Sequence, residues 1–228
     1  TGTAYGGLRR LGVSGRDTIA IFGQGPVGLS GTILARAMGA RVIAVDLVPA
    51  RREAALALGA DVVLDPAEVD VVEMVRELTR GRGVDCALEC TSSPDARAAA
   101  VRGTRPFGRV CFVGMGGDLN VDVTNDIIKK QLTLMGSWTF TASGQAECAQ
   151  FVMDREVDVD ALFTDRWTLD DAEQAYRRPG DPAVKRQLAE QEASYRNRRG
   201  GILWAVSAAD GKKLAEYRLD APPVFDGR

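Results

Sequence analysis

The sequence of 228 residues contains no histidine. Histidine is the most frequent general base and metal ligand in proteins, so this chain lacks the usual side chain for acid–base catalysis and for zinc binding. Cysteine is scarce and forms no Cys-x-x-Cys pair; the four positions are Cys86, Cys90, Cys111 and Cys148. We therefore expect buried free thiols, not a disulfide framework or a zinc site, and a reducing, cytoplasmic compartment.

Long apolar runs and an excess of one charge are also absent. No run approaches the roughly 20 residues of a membrane helix, so we expect no membrane partner. Lys and Arg number 29 against 31 Asp and Glu, a net charge of −2, and we expect no nucleic-acid partner. Because the chain begins at Thr1 without a signal-like segment, we expect a fragment or a processed chain.

Short apolar runs alternate with helical patterns from residue 18 to residue 154. The runs predict strands over 18–22, 41–46, 61–64, 84–90, 109–113 and 132–135. The patterns between and after them predict helices over 27–38, 49–58, 69–79, 94–102 and 144–154. Continuous apolar strands joined by helices are typical of a parallel sheet covered on both faces. The predicted fold class is α/β, a doubly wound parallel sheet of the Rossmann type.

A Gly-x-Gly-x-x-Gly motif occupies residues 23–28, between the first strand and its helix. Gly23 permits the tight turn, Gly25 lets the backbone approach a pyrophosphate, and Gly28 lets the helix pack closely on the strand. The helix N-terminus adds free N–H groups that bind anions. A turn without a ligand is the alternative, but Asp46 ends the second strand 18 residues after Gly28, near the spacing of a ribose-binding carboxylate. We therefore predict a dinucleotide site.

Asp46 also predicts which dinucleotide binds. A carboxylate accepts hydrogen bonds from ribose hydroxyls and repels a 2′-phosphate, so NAD is favoured over NADP. Arg51, in the first turn of the next helix, can reach the ribose edge and would tolerate a 2′-phosphate. We expect Arg52 to be a solvated helix charge.

Ligands of open α/β sheets lie outside the carboxyl ends of the strands. The fourth, fifth and sixth strands end at residues 90–92, 113–115 and 137–138, which makes these loops candidate cofactor contacts. Gly114 permits close approach to a ring. For Met115 and Trp138, packing in the core or in an interface is an equal alternative.

Several segments in order resemble the coenzyme domain of medium-chain dehydrogenases/reductases, with the zinc-type alcohol and polyol dehydrogenases as the most similar branch. They are residues 3–8, 13–17, 19–29, 37–46, 58–61, 81–85, 108–114 and 162–176, so the resemblance covers about residues 1–177. It implies hydride transfer between an alcohol and nicotinamide. In this family the catalytic zinc and most substrate contacts come largely from an amino-terminal domain, so we expect no catalytic or metal-ligating residue here and little turnover by this chain alone.

The resemblance also implies roles for individual residues. A pyrophosphate site is implied at Gly23, Gly25, Pro26, Val27 and Gly28, and a ribose site at Asp46 and Arg51. Cys90 and Thr91 would lie near the adenine-side or central ribose. The nicotinamide would be bordered by Val27, Val113, Gly114, Met115, Ser137 and Trp138.

Two other functions compete with this one. The first is a non-catalytic dinucleotide-binding or oligomerisation module, since coenzyme domains of this family commonly form homo-oligomers through the edge strand near residues 132–135. The second is a flavin- or adenosylmethionine-binding Rossmann protein, which shares the glycine turn but does not account for the motifs from Val84 to Tyr176.

The composition changes near Arg177, so we predict a domain over 1–177 and an appendage over 178–228. The appendage contains a helical pattern over 183–199 and a hairpin over 201–219, with its turn at Asp210 and Gly211. The hairpin resembles one blade segment of a quinoprotein-type β-propeller, but a single hairpin is marginal alone. The appendage packs loosely, pairs with a sheet edge, or is foreign to the domain.

Overall fold

The computed structural model of the chain describes residues 1–163 and 168–171, together with the backbone of residues 201–206 and 213–219. Two units are present, Thr1–Thr164 and Asp165–Arg228. Among the described residues, no helix has the length and apolar character needed to cross a membrane.

The first unit contains a six-stranded sheet in the order β3-β2-β1-β4-β5-β6, and every pair is parallel. The strands are β1 Thr18–Phe22, β2 Arg41–Val45, β3 Val62–Leu64, β4 Val84–Glu89, β5 Thr104–Phe112 and β6 Thr133–Gly136. The strand order reverses between β1 and β4, and such a switch point leaves a crevice at the carboxyl edge of the sheet. The predicted doubly wound fold is confirmed.

Helices cover both faces of the sheet because strand residues alternate between two cores. The helices are α1 Gly2–Leu11, α2 Pro26–Ala37, α3 Pro49–Ala57, α4 Val71–Leu78, α5 Pro94–Gly103 and α6 Ala142–Asp154. Ile19 and Ile21 of β1 belong to the core that includes residues of α1, α2, α3 and α6. Ala20 and Phe22 belong to the opposite core, with residues of α4 and α5. All five helices predicted between residues 27 and 154 are present, with ends shifted by up to two residues.

Helix α1 was not expected from the sequence. Three of its ten residues are glycine, which lowers helix propensity. Tertiary packing overrides that cost, because Ala4, Tyr5, Leu8 and Leu11 are buried on one side of the sheet. The predicted fifth strand is also too short. Strand β5 begins at Thr104, before a left-handed Phe107 (φ 60°) that interrupts the apolar pattern.

The second unit contains the antiparallel pair β7 Gly201–Val206 and β8 Lys213–Leu219. These are the strands expected for the hairpin. The turn at Asp210 and Gly211, the helical pattern over 183–199 and the domain boundary near Arg177 lie outside the described residues. That boundary and the resemblance to a propeller blade stay predictions.

Candidate functional site at the switch point

The glycine motif forms the turn from β1 into α2. Gly23 has a left-handed φ of 84°, which favours glycine. A Cβ on Gly28 would overlap the carbonyl oxygen of Gly23, so helix and strand approach too closely for any side chain there. Gly25 differs, since a Cβ on it would have no atom within 4 Å. Open space therefore lies in front of Gly25 and the first turn of α2, where Pro26 and Val27 follow.

The Asp46 carboxylate faces this turn. Its Oδ2 accepts a hydrogen bond from the backbone N–H of Gln24 at 2.6 Å, and its Oδ1 accepts one from Val48 at 2.8 Å. Asp46 is 8% exposed, while the Arg51 guanidinium, 3.8 Å from Oδ2, is half exposed. The carboxylate is thus held by two backbone donors and lies close to a half-exposed positive charge.

One cleft of about 680 Å³ brings together six of the predicted site residues, Gly23, Gly25, Asp46, Arg51, Cys90 and Thr91. Another part of its wall comes from the N-terminal ends of α4 and α5, including Asp70, Val71 and Asp95. The cleft therefore extends from the glycine turn along the carboxyl ends of β2 and β4. Burial raises the pKa of the Cys90 thiol, so this cysteine is a neutral thiol at physiological pH and not an activated nucleophile.

The expectation that Arg52 is a solvated charge is wrong. Its guanidinium pairs with the Asp65 carboxylate at 2.7 Å and donates to the carbonyl oxygens of Asp46 and Leu47. The side chain is only 16% exposed. Asp65 follows β3, which lies beside β2 in the sheet. Arg52 therefore connects the carboxyl ends of these two strands.

The remaining predicted contacts lie on the other side of the switch point. Val113 packs against the α1 core, and Ser137 lies close to Gly6 of α1. Met115 and Trp138 are 64% and 71% exposed, so neither side chain belongs to the core that the described residues form. A Cβ on Gly114 would lie 2.6 Å from the backbone nitrogen of Ser92, which shows direct contact between the loops after β4 and β5.

Three polar residues of this region were missed from the sequence: Gln24, Glu89 and Arg97. Glu89 is fully buried, and its Oε1 accepts hydrogen bonds from Thr91 N, Thr91 Oγ1 and Ser92 N at 2.5–2.9 Å. Gln24 is also fully buried; its amide donates to the Ile21 carbonyl and accepts from the Thr32 hydroxyl. A charged residue directly after the apolar run Cys86–Leu88 was the available signal for Glu89.

The described residues offer no zinc site. No three side chains of the types that bind metals come together in residues 1–163 and 168–171. Burial raises the pKa of the Cys111 thiol to about 11, so this thiol is neutral at physiological pH. The described residues therefore do not fit a catalytic zinc.

A parallel sheet with a glycine turn and an acidic residue at its switch point defines a Rossmann-like α/β protein. A family model for zinc-binding dehydrogenases matches residues 26–155, and the chain belongs to that family, the zinc-type medium-chain dehydrogenases/reductases.

Two relatives and one solved structure illustrate the match. The chain is 35% identical to the uncharacterized zinc-type alcohol dehydrogenase-like protein YphC of Escherichia coli over 77% of this chain and 50% of the relative. It is 33% identical to the (R,R)-butanediol dehydrogenase of Neisseria gonorrhoeae over 71% and 46%. The alcohol dehydrogenase of Aeropyrum pernix superimposes with a TM-score of 0.67 at 30% identity, over 78% and 51%. The chain spans about half the length of these relatives.

Proposed function

We propose that this chain binds NAD(H) and forms the coenzyme-binding half of an alcohol or polyol dehydrogenase. The observation that carries the proposal is the Asp46 carboxylate, which is held at the glycine turn by the backbone N–H of Gln24. A carboxylate fixed at this point accepts hydrogen bonds from the hydroxyls of an adenosine ribose. The cleft in front of it is open toward Gly25, where a pyrophosphate needs close approach to the backbone.

In this arrangement each part of the dinucleotide has its own contacts. The pyrophosphate lies against Gly23, Gly25, Pro26, Val27 and Gly28, and is attracted by the positive end of the α2 dipole. Cys90 and Thr91 border the ribose region beside Asp46 and Arg51. The nicotinamide extends toward Val27, Val113, Gly114, Met115, Ser137 and Trp138, at the carboxyl ends of β5 and β6.

Two charges decide between NAD and NADP. Asp46 repels a 2′-phosphate, while Arg51 supplies the positive charge that a 2′-phosphate would need. Asp46 is nearly buried and has two backbone donors, whereas Arg51 is half exposed and makes one long contact. The effect of the buried, hydrogen-bonded carboxylate outweighs that of the exposed guanidinium, so we propose a preference for NAD.

The bound cofactor supplies the hydride chemistry, and this chain orients the nicotinamide and excludes water around it. The zinc and the other wall of the alcohol pocket would come from the rest of a longer protein. We also propose a cytoplasmic location, since all four cysteines are free thiols.

Titration of the chain with NADH and NADPH, followed by cofactor fluorescence, tests the proposal. We expect NADH to bind more tightly than NADPH. Asp46→Asn should weaken NADH binding by about tenfold, the effect of losing one charge-assisted hydrogen bond. The same variant should reduce the ratio of NADH affinity to NADPH affinity. Asp61→Asn is the matched control, because Asp61 also accepts a backbone N–H and pairs with an arginine, but lies at the opposite edge of the sheet. No binding at millimolar NADH would refute the proposal.

A second function, association into a homo-oligomer, is favoured by the edge of the sheet, where β6 pairs with no further strand among the described residues. Strand β6 is the last in the strand order, and Thr133 and Gly136 on it are exposed. The exposed side chains of Phe107, Val123 and Ile128 belong to segments next to it. We propose that copies of the chain pair at β6. Sedimentation equilibrium should show that the wild-type chain is an oligomer. Thr133→Lys should dissociate the oligomer, whereas the control Glu53→Lys, at an exposed position of α3, should leave it intact. A monomeric wild-type chain would contradict pairing at β6.

A further inference from the structure

Arg97 connects two loops at the carboxyl edge of the sheet. It belongs to α5, and its side chain is only 12% exposed. The guanidinium Nη2 donates to the Gly114 carbonyl at 2.7 Å, and Nη1 donates to the Gly117 carbonyl. Its Nε lies 3.4 Å from Oε2 of Glu89. One side chain therefore binds the β5 loop (residues 113–117) at two points while it is anchored to the end of β4.

The anchor is itself tied to the neighbouring loop. Glu89 Oε1 accepts hydrogen bonds from both backbone and side chain of Thr91 and from the backbone of Ser92, which fixes the β4 loop (residues 90–93). The two loops are also in contact, since a Cβ on Gly114 or Gly117 would collide with the Ser92 backbone. Glu89 and Arg97 thus hold the β4 loop and the β5 loop as one assembly.

The β5 loop is fixed at its start, where the backbone N–H groups of Val113 and Gly114 donate to the Glu89 carbonyl at 2.8 and 3.1 Å, but residues 115–117 are exposed. Its sequence is Val-Gly-Met-Gly-Gly, and Gly116 and Gly117 have left-handed φ angles of 82° and 69°. Glycine loses more conformational entropy on ordering than any other residue, and Met115 is exposed. Bidentate donation from a planar guanidinium to two carbonyl groups therefore restricts a segment whose own side chains cannot restrict it.

We propose that Arg97 is a positioning residue for the nicotinamide end of the cofactor. It acts through the Gly114 and Gly117 carbonyls without touching the cofactor, and it keeps the β5 loop in the conformation that borders the ring. The inference rests on the proposed binding of NAD(H). It assigns the adenosine end to Asp46 and the glycine turn, and the alignment of the nicotinamide end to the pair of Glu89 and Arg97.

The test compares two probes, NADH and ADP, on the same 228-residue chain. ADP carries only the adenosine and phosphate groups and does not extend to the β5 loop. Arg97→Met keeps an unbranched side chain of similar shape and removes every hydrogen-bond donor. We expect this variant to bind NADH about tenfold more weakly, while its affinity for ADP changes less than about twofold. Amide hydrogen exchange at residues 114–117 should become faster by on the order of tenfold.

Arg102→Met is the matched control. Arg102 lies on the same helix, but its guanidinium donates to Asp126 at 3.1 Å and to the Asn120 carbonyl, which lie outside both loops. It should leave both affinities and the exchange of residues 114–117 unchanged. Arg97→Lys retains the positive charge beside Glu89 but not the planar guanidinium that donates to two carbonyl groups. It should therefore restore only part of the NADH affinity. If Arg97→Met does not fold, the ratio of the two affinities in Arg97→Lys decides.

The outcomes separate the two proposals. If Arg97→Met weakened NADH binding and ADP binding by the same factor, the positioning role would be overturned. The proposal that the wild-type chain binds NAD(H) would stand. A wild-type chain that binds neither probe would overturn both. Selective loss of NADH affinity together with faster exchange in residues 114–117 would establish the role.

Discussion

The two halves of the carboxyl edge of the sheet are built by different means. At β1 and β2, the glycine motif is joined to one acidic residue by a main-chain hydrogen bond, in which the backbone N–H of Gln24 donates to the Asp46 carboxylate. At β4 and β5, the loops are held by a buried ion pair, and Arg97 reaches a carbonyl 20 residues away. One half depends on main-chain conformation, and the other on charged side chains brought together by the fold.

This difference predicts how each half responds to substitution. Where the backbone makes the contacts, side chains can be exchanged unless a Cβ has no room. Where a buried charge makes them, removal of one partner leaves the other charged and without a counterion. We therefore expect four substitutions to differ in their effects, from a large loss of stability to a small gain.

Glu89→Ala should have the largest effect. It leaves the Arg97 guanidinium unpaired and removes the acceptor for two backbone N–H groups, so we expect a loss of about 4 kcal/mol in the free energy of unfolding, measured by urea denaturation. Glu73→Ala is the control, since Glu73 pairs with Arg76 at 2.9 Å but is 69% exposed, and should cost less than about 1 kcal/mol. Similar losses in both variants would contradict a buried, stabilising role.

Gly28→Ala should follow, because the new methyl group would overlap the Gly23 carbonyl, which belongs to the backbone and cannot rotate away. We expect about 3 kcal/mol of destabilisation in the same assay. Gly25→Ala has open space around the methyl group and should leave stability within about 0.5 kcal/mol, while it weakens NADH binding by occupying the space in front of the turn. If both variants were equally stable, the close approach of helix to strand would be in doubt.

Gln24→Leu should cost about 2 kcal/mol, since it removes a donor to the Ile21 carbonyl and leaves the buried Thr32 hydroxyl without the Gln24 acceptor. Thr32→Val in the same chain should recover part of that loss, because it removes the hydroxyl that lost its acceptor. Thermal unfolding of the two single variants and the double variant measures the coupling. Strictly additive losses would show that the two side chains do not interact.

Ser92→Gly should have the smallest effect, and it should stabilise the chain. Ser92 has a left-handed φ of 70°, a conformation that costs a side chain about 1 kcal/mol and glycine almost nothing. The expected result is a gain of up to about 1 kcal/mol in urea denaturation. Ser93→Gly is the control, since Ser93 has an ordinary φ of −71° and should gain nothing. Destabilisation by Ser92→Gly would show that the serine side chain matters more than its backbone strain.

The sequence predicted the sheet and most of its helices because their signals are local. Strand β1 has the predicted bounds, and the spacing from Gly28 to Asp46 predicted which acid would face the turn. Helix α1 was missed because burial of Tyr5 and Leu8, not propensity, stabilises it. Arg52 was misjudged because its partner, Asp65, comes from the end of another strand.

The amino-acid sequence by itself determined the parallel α/β class and the place of the glycine turn, since both follow from short-range patterns of apolar residues and glycine. Only the tertiary structure decided that Glu89 and Arg97 are buried together and that the β4 and β5 loops are in contact. A buried charge is stable only beside a counterion, and that neighbour is supplied by chain segments that the fold, not the local sequence, brings together.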